Sequence, residues 1–233
     1  MSDRPLNLAI EISRPCGSIS LGCDDRLLES VELDQPQRHN IDLMPAIDQM
    51  IGRQGSAAGQ LGEVYVSIGP GSFTGLRVAI ATAKMLAIAG DVRIVAVPTI
   101  DVVARNAPRD VQNFAVCLSC KRDRIYAGQF RCDGDSVRAI GRPRLMTLAQ
   151  LLVESPRPLA ILGDRLPSDV SPATLGEGGV CHLPPQMAIP RSDQVWHLGR
   201  EAAGRTTDPF DLLPLYAREP EAVELWNKKT SHK

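Results

Sequence analysis

Apolar and polar positions at the start of the chain form three short blocks. The blocks Leu6–Ile12, Ser18–Gly22 and Leu27–Leu33 have the length and composition of strands. The polar run Cys23–Arg26 separates the second block from the third and favours a turn. These patterns predict that the chain opens with a three-stranded meander.

Helical spacing replaces this pattern from Asn40 onward. Apolar residues then recur every three or four positions as far as Ile51, and Pro45 fits such a helix if it lies near the first turn. A strand, Val64–Ile68, follows and leads through a glycine-rich loop into the segment Gly75–Ala89. That segment is apolar nearly all round, which is typical of a helix buried in a core or against a partner. Its predicted N-cap is Thr74, and Gly90 is predicted to end it.

The second half of the chain repeats this order of elements. After a strand at 93–97 and a helix at 100–107, we expect strands at 114–119, 124–131, 137–140 and 158–162, and helices at 148–154 and 194–204. The stretch 167–190 is rich in Pro, Gly and Ser and predicts mostly loop. Strands followed by helices, twice over, indicate two α/β lobes. We place their boundaries at 1–108 and 109–208, with a C-terminal tail at 209–233.

Charge and composition narrow the possible functions. The 233 residues include 26 Lys and Arg and 27 Asp and Glu, a net charge of −1, which disfavours a strongly basic, free-standing nucleic-acid binder. The sequence contains no run of about 18 apolar residues, so we predict no membrane span. The first residues lack the apolar stretch of a signal peptide, so the expected compartment is the cytoplasm.

Catalytic and metal-binding patterns are absent from the sequence. The four histidines are scattered, with no His-x3-His pair, and no Gly-x-Ser-x-Gly motif occurs. Cys117 and Cys120 lie three apart on a predicted strand, where they would point to opposite faces, so we expect reduced thiols rather than a redox pair. The sequence therefore predicts no catalytic residue and no metal ligand.

The loop between the strand at 64–68 and the apolar helix has two interpretations. A loop that leads from a strand into a helix is a common place for phosphate groups, because free backbone N–H groups point out of the helix N-terminus. The candidate anion- or nucleotide-binding residues are Gly69, Gly71, Ser72, Thr74 and Gly75. However, the loop lacks both the P-loop and the dinucleotide-binding patterns, and Pro70 has no N–H to donate. A tight turn that positions the helix is the alternative.

Glu11, at the end of the first predicted strand, also has two interpretations. In actin- and hexokinase-like ATPases an acidic residue at this place helps to hold the metal-bound nucleotide. Glutamate is one methylene longer than aspartate, and catalytic groups tolerate displacements of only about 1 Å. The alternative is a strand-end residue that hydrogen-bonds to nearby backbone.

One segment closely resembles a known family. The string Gly69-Pro70-Gly71-Ser72-Phe73-Thr74-Gly75-Leu76-Arg77, followed by an alanine-rich helix, resembles the signature of the TsaB family, also called YeaZ. Further segments match that family in order: Leu8–Ser13, Gln37–His39, Leu43–Ile47, Val97–Ile100, Ser119–Tyr126 and Pro214–Arg218. The resemblance implies the two-lobed actin-like ATPase (ASKHA) fold, an α/β architecture of mixed sheets flanked by helices.

The resemblance also implies a function. TsaB proteins are non-catalytic partners of TsaD, which transfers a threonylcarbamoyl group to N6 of adenosine 37 in tRNAs that read ANN codons, and the ATPase TsaE joins them. We therefore expect no cofactor in this subunit, with ATP and a metal in the partner subunits, and tRNA contact only through the complex. Glu11, Ser119 and Arg124 depart from the family pattern by removing or moving a carboxylate, which a non-catalytic subunit tolerates.

Two apolar helices are the candidate partner interface. The predicted contacts are Met44, Ile47, Ile51, Arg77, Val78, Ala79, Thr82 and Met85. The small residues Ala79, Ala83 and Ala87 recur every four positions and would allow a close approach of helices. A homodimer through the same face is compatible with this interpretation. The rival functions are an actin-like ATPase or small-molecule kinase, and a peptidase.

Overall fold

Two five-stranded mixed sheets form the framework of the chain. The computed structural model describes residues 5–33, 39–119, 124–134, 136–163, 179–202 and 204–217. Cys120, the C-terminal end of the tail and Arg218 of the last family segment lie outside these residues. The structure therefore does not address the predictions made for them.

The first sheet combines an antiparallel meander with two parallel strands. Its strands are β1 (Leu6–Glu11), β2 (Gly17–Cys23), β3 (Arg26–Leu33), β4 (Leu61–Gly69) and β5 (Arg93–Pro98). Their order is β3-β2-β1-β4-β5, with antiparallel pairing along β1-β2-β3 and parallel pairing along β1-β4-β5. The predicted meander is confirmed.

The second sheet has the same plan. Its strands are β6 (Asn113–Ser119), β7 (Arg124–Asp133), β8 (Ser136–Thr147), β9 (Leu159–Gly163) and β10 (Val180–His182). In the order β8-β7-β6-β9-β10, the first three strands pair antiparallel and the last three parallel, as in the first sheet. This duplication is the actin-like two-lobed fold, and the predicted fold class is confirmed.

Five α-helices accompany the sheets within the described residues. They are α1 (His39–Arg53), α2 (Phe73–Gly90), α3 (Thr99–Ala104), α4 (Leu148–Glu154) and α5 (Ser192–Glu201). The predicted cap of α2 is corrected: Ser72, not Thr74, is the N-cap, since its side chain accepts a hydrogen bond from the Gly75 amide. Asp91, in the left-handed region with φ of 54°, ends the helix.

The apolar composition of α2 reflects its place in the first lobe. By length and hydropathy alone this helix could cross a membrane. However, its side toward the sheet is buried and belongs to the same core cluster as β1, β2, β4 and α1. Ala79, Ala83 and Ala87 lie on this buried side. The small residues therefore let α2 approach its own sheet closely, and the prediction that they meet a partner helix is wrong.

The two lobes exchange helices. Ile100, Val103 and Ala104 of α3 pack into the core of the second lobe. In the other direction, α5 lies against the first sheet, where Trp196 joins the cluster of Tyr65 and neighbouring strand residues. Thr207 then forms a bridge with Ile94 of β5. The helix α5 and Thr207, which we predicted to lie in the second lobe (109–208), therefore pack on the first.

Two elements of the second sheet differ from the sequence prediction. Strand β8 runs for 12 residues rather than the four predicted at 137–140, because a bulge at Gly141–Pro143 interrupts the alternation without ending the pairing. Strand β10 lies within the predicted loop 167–190. It is only three residues long, too short for a pattern to indicate.

Candidate functional site

The loop at the start of the family signature, residues Gly69–Gly75, lies where β4 ends and α2 begins. This signature loop is packed closely against the end of β1. The Ser72 amide donates to the Ser13 carbonyl oxygen at 2.7 Å. A Cβ atom at Gly71 would lie 2.5 Å from that oxygen, and one at Gly75 would lie 2.0 Å from the carbonyl oxygen of Ile12. Both glycines are therefore required by the close approach of the two backbones.

The C-terminal segment Pro214–Tyr216 packs against the other side of the signature loop. The Leu215 amide donates to the Ile68 carbonyl oxygen at 2.7 Å. Gly69 has a φ of +112°, and a Cβ atom there would lie 2.5 Å from the Leu215 carbonyl oxygen. The signature loop is thus held between β1 and the C-terminal Pro-Leu-Tyr segment, two regions far apart in sequence.

Three side chains stack where α2 begins. The rings of Phe73 and Tyr216 are 5.4 Å apart with an angle of 28° between them, and the Arg77 guanidinium lies 3.8 Å from the centre of the Phe73 ring. The Arg77 Nε donates to the Tyr216 hydroxyl at 3.2 Å. Arg77, which we predicted as a partner contact, therefore already contacts two aromatic residues of its own chain, and it remains exposed.

The candidate anion-binding residues form a turn whose amides are partly occupied. Pro70 has no N–H, the Ser72 amide is bonded to Ser13, and the Gly75 amide is bonded to the Ser72 hydroxyl at 3.3 Å. Fewer donors are left for a ligand than in a loop that cradles phosphate. Of the two interpretations, the tight turn that positions α2 has the support of these contacts.

Glu11 is buried beside this loop, with an exposed fraction of 1%. Its Oε1 accepts a hydrogen bond from the Ser13 amide at 2.7 Å, while Oε2 has no hydrogen-bond partner among the described residues. Burial raises the pKa of this carboxyl, and the hydrogen bonds from Ser13 offset only part of that effect. This arrangement fits the strand-end interpretation, because the carboxylate already accepts from the backbone.

The raised pKa of Glu11 makes stability depend on pH in a definite direction. The folded state binds the proton more tightly than the unfolded state, so the stabilisation is fully present below the unfolded pKa of about 4.5 and is lost as pH rises through the folded pKa. We expect the Glu11→Gln variant to gain stability relative to the wild type as pH rises. Urea unfolding of both proteins from pH 4.5 to 8 measures this difference. A difference that stays constant over that range would contradict the assignment.

The structure divides the eight predicted interface residues. Met44, Arg77 and Met85 are exposed, so these three lie on the outer side of α1 and α2, whereas Val78 is half-buried and packs against the core of the first lobe. The remaining four face the interior of the first lobe, and their prediction as contacts is corrected: Ile47, Ile51, Ala79 and Thr82. Helical spacing identified two apolar stripes on these helices but not which one the sheet would cover.

Three residues of the exposed side were missed from the sequence: Phe73, Ala81 and Ile88. Phe73 and Ile88, which is 68% exposed, continue the line formed by Arg77, Ala81 and Met85 along the whole of α2. Their helical spacing could have identified them in the sequence, since these positions recur every three or four residues. With exposed Met44 on the neighbouring α1, they form what we call the outer face, defined by Met44, Phe73, Arg77, Ala81, Met85 and Ile88.

Comparisons with known proteins give the family. A family model described as TsaD: tRNA N6-adenosine threonylcarbamoyltransferase matches residues 27–169, more than half of the chain. A relative from Bacillus subtilis, tRNA threonylcarbamoyladenosine biosynthesis protein TsaB, is 27% identical over 94% of this chain and 96% of its own length. The chain belongs to the TsaB (YeaZ) family. The TsaB of Escherichia coli matches as well, with 23% identity over 60% of this chain and 63% of that protein.

Solved structures agree with the TsaB assignment at the level of the fold. YeaZ from Pseudomonas aeruginosa has a TM-score of 0.74 and 22% identity, covering 91% of this chain and 99% of that one. A second Pseudomonas aeruginosa structure, of an uncharacterized protein with similarity to peptidase YEAZ, has the same TM-score over 92% of this chain and 100% of the other. This member of the TsaB family therefore has the family's two-lobed architecture.

Metal-binding side chains do not gather in the described part of this TsaB-family chain. Across that part, no group of three or more His, Cys, Asp and Glu side chains could hold a metal ion. The Glu11 carboxylate, at the end of β1, accepts a hydrogen bond from the backbone of its own strand end.

Proposed function

We propose that this chain is a non-catalytic subunit of a tRNA threonylcarbamoyl transferase, in which it binds and stabilises a TsaD-like catalytic subunit. Support comes from its family, whose relatives are named for threonylcarbamoyladenosine biosynthesis on tRNA. A TsaE-like ATPase completes the assembly, ATP and the metal reside in the partner subunits, and tRNA is modified at adenosine 37.

The observation that carries this proposal is the outer face of α1 and α2. Met85 is 47% exposed and Ile88 is 68% exposed, although both lie on a helix whose opposite side is buried. A contiguous apolar surface of this kind on a folded lobe is typical of a site that another protein covers. Since aromatic residues, methionine and arginine are enriched at interfaces, Phe73, Met85 and Arg77 suit the role.

The signature loop gives that face a fixed position. Ser72 caps α2, Gly71 and Gly75 hold its start against β1, and Tyr216 stacks on Phe73. A surface whose side chains are already ordered loses less conformational entropy when a partner binds. In this proposal the family signature is therefore a support for the interface and not a nucleotide site.

The same face also suits a second copy of this chain. A homodimer through α1 and α2 would cover the apolar surface while the TsaD-like subunit is absent, and it would compete with that subunit. We propose that the two assemblies exclude each other. An actin-like ATPase or kinase has less support, because the loop amides at Ser72 and Gly75 are already bonded.

The substitution Met85→Glu tests the proposed face. A carboxylate in the centre of an apolar interface is desolvated without a partner, so we expect affinity for the TsaD-like subunit of the same organism to fall about tenfold or more. Isothermal titration calorimetry of the two subunits measures the change. Because Met85 is exposed, thermal unfolding is expected to show little loss of stability.

Val153→Glu is the matched control for this test. Val153 lies on α4 of the second lobe and is 86% exposed, so the substitution adds the same charge at an apolar surface position outside the outer face. We expect it to leave the affinity unchanged. If Val153→Glu weakened the complex as much as Met85→Glu, or if neither did, the outer face would not be the contact.

A further inference from the structure

Charge is distributed unevenly along the chain although the total is −1. Residues 1–104 contain eight basic and 12 acidic side chains, a net charge of −4, and residues 164–233 contain eight and ten, a net charge of −2. Residues 105–163, which include most of the second sheet, contain ten basic and five acidic side chains, a net charge of +5. The near-neutral total therefore conceals one basic region.

Arginines of this region lie together on the β7–β8 ribbon, at the edge of the second sheet. Arg131 and Arg138 are directly opposite each other in the antiparallel pairing, and Arg144 is opposite Ala127, four residues further along β7. Cross-strand partners project to the same side of a sheet, so these three share the side on which α4 packs. Arg142 lies in the bulge between them, and all four are exposed.

Few carboxylates neutralise these arginines. Arg144 forms an ion pair with Glu154 at 2.5 Å, and the Arg131 Nε donates to the Asn113 amide oxygen at 3.4 Å. Within the ranges that the structure covers, Arg138 and Arg142 form no ion pair, and Asp133 is the acidic residue on the same side of β7. Like charges directly opposite in a sheet are destabilising, so the Arg131–Arg138 pair is a cost to the fold.

We propose that this arginine ribbon, defined by Arg131, Arg138, Arg142 and Arg144, binds the phosphodiester backbone of the tRNA substrate. Guanidinium groups match phosphate oxygens in geometry and remain charged at all physiological pH values. The register positions extend over about 13 Å, taking 3.3 Å for each residue of strand, which allows contact with more than one phosphate. Such contacts position RNA without reading its sequence.

This inference rests on the proposed function, which supplies the RNA, and assigns it a surface separate from the outer face. The ribbon belongs to the second lobe, whereas α1 and α2 belong to the first. A TsaD-like subunit on the outer face would therefore leave the ribbon open to a polyanion. The overall net charge of −1 is consistent with weak binding by this subunit alone and tighter binding in the complex.

The double variant Arg138→Gln with Arg142→Gln tests the proposal in the complex with the TsaD-like subunit. Fluorescence anisotropy of a labelled tRNA transcript is measured from about 50 to about 300 mM KCl, a range that includes physiological ionic strength. Each lost phosphate contact lowers the slope of log affinity against log salt by about 0.7–0.9. We expect the slope to fall by about 1.5 for two contacts and the affinity to fall about fivefold or more at low salt.

The control is Arg26→Gln with Arg205→Gln, which removes the same charge from exposed positions outside the ribbon. We expect it to change neither the slope nor the affinity by more than about twofold, since distant charges are screened. An unchanged slope in the ribbon variant, or an equal loss in the control, would overturn the proposal. Aggregation of the ribbon variant with unchanged RNA affinity would also do so and would assign the arginines to protection of the sheet edge.

Two further measurements distinguish a failure of RNA binding by the ribbon from a failure of the proposed function. If the wild-type chain does not bind the TsaD-like subunit, the proposed function fails, and the same RNA titration on the chain alone at low salt still decides the ribbon's role by the same slope criterion. Vesicles of phosphatidylglycerol form the second arm. Vesicle binding that the ribbon variant loses, with RNA affinity unchanged, would overturn RNA in favour of an anionic lipid surface.

Discussion

Replacing Trp196 with alanine is expected to lower the free energy of unfolding by about 3–5 kcal/mol, the usual range for truncating a large buried aromatic residue. The Trp196 ring is 2% exposed and packs against Gly22, where a Cβ atom would lie 2.2 Å from the indole nitrogen. That nitrogen donates to the Asn7 Oδ1 at 2.6 Å. Alanine would leave a cavity and a buried amide oxygen without its donor. Urea unfolding followed by circular dichroism measures the loss.

Trp196→Phe separates the packing of the ring from its hydrogen bond. Phenylalanine keeps most of the apolar volume but cannot donate to Asn7, so we expect a loss of about 1–3 kcal/mol, the cost of an unsatisfied buried acceptor. A loss below about 1 kcal/mol for Trp196→Ala would mean that α5 does not fasten the first lobe. The structural account of the helix exchange would then be wrong.

The second large effect is expected for Gly75→Ala in the signature loop. The added Cβ atom would lie 2.0 Å from the Ile12 carbonyl oxygen, and backbone must move to accommodate it. Overpacking of this kind typically costs about 1–3 kcal/mol. Because Gly75 lies in the first turn of α2, the displacement also moves the outer face. We therefore expect weaker binding of the TsaD-like subunit together with lower stability, measured by calorimetry and urea unfolding.

Gly52→Ala is the control for this substitution. Gly52 lies in α1, and a Cβ atom there has no neighbour within 4 Å. Alanine is more favourable than glycine inside a helix by up to about 1 kcal/mol, so we expect this variant to be at least as stable as the wild type. If Gly75→Ala were equally harmless, the close approach of the signature loop to β1 would not be what requires glycine there.

Local patterns predicted the framework of the fold well. The meander β1-β2-β3, the helices α1 and α2 and the duplicated plan all follow from periods of two and 3.6 residues, which depend on nearby residues only. Strand β8 was predicted too short because Gly141 and Pro143 are residues that usually end strands, whereas here they form a bulge.

Tertiary placement was harder to predict. The sequence placed residues 192–208 in the second lobe because they follow it in the chain. The contacts of Trp196 with Asn7 and of Thr207 with Ile94 place α5 and Thr207 on the first lobe, and such long-range pairs leave no periodic pattern in the sequence. The same limit applies to the apolar helix α2. Its sequence did not show whether the sheet would cover the side with Ala79 and Ala83 or the side with Met85.

The signature string identified the loop between β4 and α2, which no pattern of charge or spacing did. Its glycines are explained by contacts with Ile12, Ser13 and Leu215, none of which is adjacent to it in sequence. The role of Tyr216 could be found only in the structure, since it stacks on Phe73 from the far end of the chain. Glu11 was ambiguous from sequence, and its bond to the Ser13 amide favours the structural interpretation.

We expect this chain to bind a TsaD-like subunit and to do no chemistry of its own. Size-exclusion chromatography with light scattering tests it most directly, on the chain alone, on the TsaD-like subunit of the same organism and on their mixture, with and without tRNA and the TsaE-like ATPase. We predict a species with the mass of both subunits, into which any homodimer of this chain disappears. Unchanged separate peaks under all of these conditions, together with magnesium-dependent ATP hydrolysis by the chain alone, would contradict the account.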